Sequence, residues 1–233
     1  MNQIHSIIQM VREGKIPEVR VPKQIVYVGH SYGSIIGNAL NRVWPDDVDA
    51  TILTGFGGYF ITAFPSILAQ LVLVPADIEQ PERYGPLDPG YLEATNQNEV
   101  NYLFYYPGGY DPDFANYDFS IRGTFALGEA ATVLLTGNTA TEYTNPVLVA
   151  TGNYDNIFCN QLSLNLLTVP SCSDVPLANI LNGYNYVESA VEWYPNADFE
   201  YYIVPDAGHC WQFHYSASEG FRVTHEWMAN KGF

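Results

Sequence analysis

Apolar positions divide the chain into segments of two periods. Ile4, Ile7, Ile8 and Val11 recur at i, i+3, i+4 and i+7, which predicts a helix with one buried stripe ending near Gly14. Past a connector bounded by Pro17 and Pro22 the pattern becomes a short unbroken run, Ile25-Val26-Tyr27-Val28, closed by Gly29. A β-branched run of that length predicts a strand covered on both faces. A helix over residues 34–43 and a second run, Ala50-Thr51-Ile52-Leu53-Thr54, come next, and that run closes on the glycine-rich turn Gly55-Phe56-Gly57-Gly58. Strand, helix, strand is the grammar of a parallel sheet.

Residues 59–144 interrupt this grammar with scattered prolines, many tyrosines and the loop-like stretch Tyr106-Pro107-Gly108-Gly109-Tyr110-Asp111-Pro112-Asp113. An inserted, mostly helical lid accounts for them. Strand character returns at Val147-Leu148-Val149-Ala150-Thr151 and again at Phe199-Glu200-Tyr201-Tyr202-Ile203-Val204. A last helix over residues 218–230 is expected to pack Phe221, Val223, Trp227 and Met228. The expected architecture is therefore α/β, a mostly parallel sheet with flanking helices, with residues 1–58 and 145–233 as core and 59–144 as lid.

Charge narrows the function classes. Nine Lys and Arg stand against 25 Asp and Glu, a formal charge of −16 that repels phosphate backbones and anionic membranes, so nucleic acid is not an expected partner. No apolar run reaches the roughly 18 residues of a membrane span, and Met1-Asn2-Gln3-Ile4-His5 lacks the basic start and apolar stretch of a signal peptide. Cys159, Cys172 and Cys210 have neither zinc-site nor redox-motif spacing. Cys159 and Cys172 flank a short segment that a disulfide would staple in an oxidising compartment, leaving Cys210 unpaired.

Gly29-His30-Ser31-Tyr32-Gly33 is a Gly-x-Ser-x-Gly pattern standing where its mechanics require, between a predicted strand and a predicted helix. The tight turn calls for glycine at both flanks and exposes the serine hydroxyl, and the Tyr32 N–H at the helix start can stabilise an oxyanion. A serine hydroxyl needs a base. His209, in the loop after the last strand, is the leading candidate; His214 is second, His5 and His225 lie on helices, and His30 faces away from the hydroxyl. The base needs a carboxylate to set its tautomer. Asp155, at the carboxyl end of the strand that begins at Val147, is favoured over Asp206, which shares a short loop with His209 and is suited to capping or bracing it.

The stretches Val26-Tyr27-Val28-Gly29-His30-Ser31-Tyr32-Gly33-Ser34, Pro146 through Asp155, and Asp206-Ala207-Gly208-His209 resemble the α/β-hydrolase superfamily. Asn156-Ile157-Phe158-Cys159 and the stretch from Gly208 to Tyr215 resemble secreted fungal hydrolases within it. The resemblance implies a serine hydrolase with Ser31 as nucleophile, His209 as base, Asp155 as acid and Tyr32 as oxyanion donor. It also implies that four strands preceding the elbow in the family have no counterpart here, so the fold is N-terminally truncated, and that the oxyanion donor carried by the loop after the third strand is missing too.

The expected reaction is carboxylic-ester hydrolysis on a small-molecule substrate, without cofactor or metal. Cys210 with His214, and Asp111 with Asp113, are conceivable ligands that read better as a packed thiol and as turn chemistry. The rival expectation is an inert or weakly active fragment or binding module that keeps the triad residues without a complete cleft. The missing strands also leave the Ile25 to Val28 edge open to self-association.

Overall fold

The computed structural model describes residues 1–58, 67, 70–133, 139–159 and 171–233. The remainder of the expected lid and of the segment after Asp155 lies outside the described residues.

The first helix, α1 (Asn2–Arg12), has an apolar stripe of which only Ile8 is fully buried. It docks through His5, which stacks on Trp44 at 4.2 Å and pairs with Asp47 at 2.7 Å. Strand β1 (Val26–His30) leads through the serine turn into α2 (Tyr32–Val43), two residues earlier than the apolar pattern suggested, and β2 (Ala50–Thr54) follows. Beyond the insertion come β6 (Val147–Gly152), β7 (Phe199–Val204) and the final helix (Ala217–Asn230). The main sheet is parallel throughout, in the order β1-β2-β6-β7.

Burial along the sheet follows position. Every residue of β2 and β6 is buried, because each strand has a neighbour on both sides and cover on both faces. Strand β1 departs from the expectation of two covered faces: among the described residues it pairs only with β2, and Val28 is 61% exposed. An edge strand in an otherwise buried sheet loses its cover along the open side.

The described residues of 59–144 contain helices at Ala76–Glu79, Pro81–Tyr84, Gln97–Phe104, Pro112–Ser120 and Leu127–Val133. They also contain what the pattern did not suggest, a small antiparallel sheet of β3 (Leu73–Pro75), β4 (Tyr91–Ala94) and β5 (Phe125–Ala126). Strands this short give too few positions for an alternating pattern to emerge. Asp111 proves to be turn chemistry: its carboxylate accepts from the Asp113 N–H and caps the helix that Pro112 begins.

In the final helix Gly220, Thr224 and Trp227 are the buried residues. Phe221, expected in the core, is 45% exposed and only leans on Trp211 at 5.2 Å. Gly220 takes the inner position, since a Cβ there would lie 2.5 Å from the Trp211 ring. Among the described residues no helix is long and apolar enough to cross a membrane. Cys159 and Cys172 form a disulfide and Cys210 is a free thiol.

Candidate active site

Ser31 sits between β1 and α2 with φ 54° and ψ −117°, a left-handed conformation that a side-chain-bearing residue adopts only under constraint. The constraint is visible in the hydrogen bonds. Ser31 N–H donates to the Thr54 carbonyl at 2.9 Å, Ser34 Oγ donates to the same oxygen at 2.8 Å, and Tyr27 Oη donates to the Gly33 carbonyl at 2.6 Å. Gly29 is required, because a Cβ there would lie 2.6 Å from the Gly33 oxygen. Gly33 is not: a Cβ would meet nothing within 4 Å, so the collision expected at both flanks exists at one. Tyr32 is the first residue of α2, where backbone N–H groups have no partner within the helix.

Asp155 and His209, distant in sequence, meet in the interior, with His209 Nδ1 2.8 Å from Asp155 Oδ2 and both side chains wholly buried. Asp155 Oδ1 accepts from the N–H groups of Ile157 at 2.8 Å and Phe158 at 2.9 Å. With the carboxylate accepting, His209 carries its proton on Nδ1 and presents a bare lone pair at Nε2. That atom is buried and has no hydrogen-bond partner among the described residues. Asp206 takes no part; it is exposed, with φ 49°, at the turn out of β7.

His30 precedes Ser31, and its ring lies 4.8 Å from that of His209, so it is a neighbour of the Asp155–His209 pair as well as part of the turn. Its Nδ1 is 3.0 Å from Thr54 Oγ1, a hydroxyl that itself donates to the Gly29 carbonyl and accepts from Gln212. Burial, above all, pushes the His30 pKa down to about 3, so the ring is neutral at ordinary pH.

One group in the site was missed in the sequence and another was expected in a different role. Gly55, with φ +54°, fits between the two imidazoles: a Cβ would lie 2.8 Å from His30 Cε1 and 2.9 Å from His209 Cε1. Its place in a glycine-rich turn after β2 was the available signal. His214, the second candidate for the base, is instead a clasp. Its Nε2 accepts from Tyr106 N–H at 2.9 Å and Gly208 N–H at 3.0 Å, while Nδ1 donates to the Cys210 carbonyl at 3.0 Å. Burial lowers its pKa, and both contacts at Nε2 require the neutral ring.

Above Ser31 lies a cavity of about 440 Å³, lined from the floor by Tyr32, Ile35 and Ile157 and from the insertion by Leu92, Val100 and Phe125. No group of three His, Cys, Asp or Glu side chains able to hold a metal ion occurs among the described residues.

Comparison with known protein families and with curated proteins finds no match. Comparison with solved structures finds many. A protein described as a non-heme bromoperoxidase from Mycobacterium tuberculosis superposes over 99% of this chain and 72% of its own, with TM-score 0.57 and 16% identity. The chain has the α/β-hydrolase fold. Within that fold a monoacylglycerol lipase from Paleococcus ferrophilus superposes over 99% of this chain and 76% of its own, with TM-score 0.53 and 13% identity. A protein described as a lipase from Acinetobacter baumannii matches over 98% and 67%, with TM-score 0.53 and 13% identity.

Proposed function

We propose that this α/β-hydrolase-fold chain hydrolyses carboxylic esters through Ser31, His209 and Asp155. The carrying observation is the buried Asp155–His209 pair, whose unpartnered Nε2 belongs to a ring packed against the residue that precedes Ser31. In the reaction, Nε2 takes the Ser31 proton as Oγ attacks the ester carbonyl. The Tyr32 N–H and the start of α2 stabilise the oxyanion, and the His209 imidazolium returns the proton to the departing alkoxide. Water, deprotonated by His209, then releases the acyl group as a carboxylic acid. No hydrogen bond joins Ser31 to Nε2 in this state; such contacts often tighten only when substrate is bound. That two similar structures are described as lipases agrees with this reading.

A second reading, an inert or weakly active binding module, draws support from the open side of β1 and from an oxyanion site with one donor in hand. The same edge is the proposed seat of self-association. Residues 59–144 are taken as the lid, and the Cys159–Cys172 bridge favours an oxidising compartment. The acidic charge weighs against nucleic acid.

Turnover of p-nitrophenyl butyrate and labelling by a fluorophosphonate probe decide between the two readings. The expected outcome is label on Ser31 and turnover abolished in Ser31→Ala. Label on another serine, with Ser31→Ala still active, overturns the assignment, and a folded chain that neither labels nor turns over supports the binding module.

A further inference from the structure

Among the described residues, two charged side chains line the cavity over Ser31, Asp118 and Arg122. They differ in what holds them. The Arg122 guanidinium is engaged inside the insertion. Its Nε lies 3.1 Å from the buried Glu93 carboxylate and donates to the Ala94 carbonyl at 2.7 Å, while Nη1 donates to the Phe119 carbonyl at 3.0 Å. Glu79 stands 3.9 Å from Nη2. The positive charge of Arg122 is thus matched by carboxylates behind the cavity wall.

Asp118 has no such partner among the described residues. Its one hydrogen bond among the described residues is from a neutral group, Tyr105 Oη, which donates to Oδ2 at 2.8 Å. Burial, and secondarily Asp118 itself, raise the Tyr105 pKa, so the phenol keeps its proton and does not cancel the charge. The cavity therefore presents one carboxylate with no ion-pair partner among the described residues, in a lining that apart from Arg122 is mostly apolar. A neutral apolar chain filling the cavity would strip water from that carboxylate and return nothing. A cation would meet it directly, and the same space is lined by Phe104, Phe125 and Phe213, whose aromatic rings attract cations. The net charge of −16 draws cations toward the mouth.

We propose that the cavity takes an ester whose apolar chain carries a positively charged group, with Asp118 as the specificity-determining residue that receives it. The inference rests on the ester-hydrolase reading above. Anionic chains are disfavoured by the same carboxylate, and plain alkyl esters are turned over less efficiently than their cationic isosteres.

Two p-nitrophenyl esters of the same shape test it, the 4-(trimethylammonio)butanoate and the 5,5-dimethylhexanoate. For each, kcat/KM is divided by the rate of spontaneous hydrolysis. The expected preference for the cationic ester is about tenfold or more in the wild type, the range of a close charged contact, and it falls to within about twofold in Asp118→Asn. A preference for the neutral ester, or one unchanged in Asp118→Asn, overturns the proposal. Should that variant fail to fold, the wild type at 0.5 M NaCl decides. Contact with Asp118 keeps most of the preference, whereas a preference arising from net charge is screened away and sinks the idea. Equal turnover of both esters rejects this inference alone; turnover of neither, with Ser31 unlabelled, rejects the hydrolase reading with it.

Discussion

The floor and the roof of the cavity are built differently. On the floor, β2 and β6 are buried along their whole length; main-chain contacts set Asp155 and the Ser31 turn, and Asp155 in turn holds His209. Two N–H groups hold Asp155, the Thr54 carbonyl holds the Ser31 turn, and Gly55 leaves the two imidazoles their space. In the roof the strands are three, four and two residues long, and apolar side chains such as Ile78 (72% exposed) face solvent. Roof and floor are joined at several points among the described residues, including the His214 clasp, Cys210 N–H to the Phe104 carbonyl at 3.0 Å, Tyr215 N–H to the Gly109 carbonyl at 2.8 Å, Asn156 Nδ2 to the Tyr102 carbonyl at 2.7 Å and the stacked rings of Tyr106 and Tyr154. Proton transfer fails when a group moves by about an ångström, whereas recognition of a chain tolerates play. The division places the charged specificity group, Asp118, in the roof and the proton-handling groups in the floor.

The sharpest way to break this comparison is Asp155→Asn, which keeps the shape of the floor and removes the carboxylate that sets the His209 tautomer. Turnover should fall on the order of 10⁴-fold while the melting profile changes little. Full activity would remove the acid role from Asp155. Gly55→Ala comes next. The new methyl presses on His209 and strains a positive φ, so a loss of about 10²-fold in kcat is expected, with KM changed less. A variant as active as the wild type would show that the ring is not held by this packing.

Acid tests the two neutral histidines. The His30 pKa is pushed down to about 3 and that of His214 is lowered, while both rings titrate near 6.5 in the unfolded chain. As pH falls through about 6.5 the unfolded state takes up protons that the folded state refuses. Stability is therefore complete above that pH and declines below it, by up to about 1.4 kcal/mol per pH unit for each histidine. Urea melts at pH 7 and pH 5 should show the loss, with a shallower slope in His30→Gln; equal slopes would mean that His30 titrates normally. The smallest effect belongs to the sheet edge. Val28→Lys should change stability by less than about 0.5 kcal/mol while weakening any self-association seen by analytical ultracentrifugation. An association that survives the lysine lies elsewhere on the surface.

Much of the floor was legible in the residues. The run from Ile25 to Val28, the Gly-x-Ser-x-Gly turn and the apolar stripe after it are local patterns, and local patterns carry strand, elbow and helix because backbone geometry repeats over a few residues. Asp155 and His209 were legible for a related reason: each follows a recognisable strand, and parallel strands deliver their carboxyl ends to one side. The roof was less legible. Two- and three-residue strands carry no period, so β3 to β5 stayed hidden in a stretch expected to be mostly helical.

By itself, the sequence determined the strand–turn–helix around Ser31, the parallel sheet behind it and the candidates for acid and base, all properties of short runs and their order. Only the tertiary structure decided that His214 clasps the loop rather than acting as base, that Gly55 and not Gly33 is pinned by its neighbours, and that Asp118 stands without an ion-pair partner among the described residues while Arg122 is matched. Each of those depends on which atoms from distant segments come within a few ångströms. Hydrogen bonding, steric fit and charge balance are set at that range, and no local pattern records it.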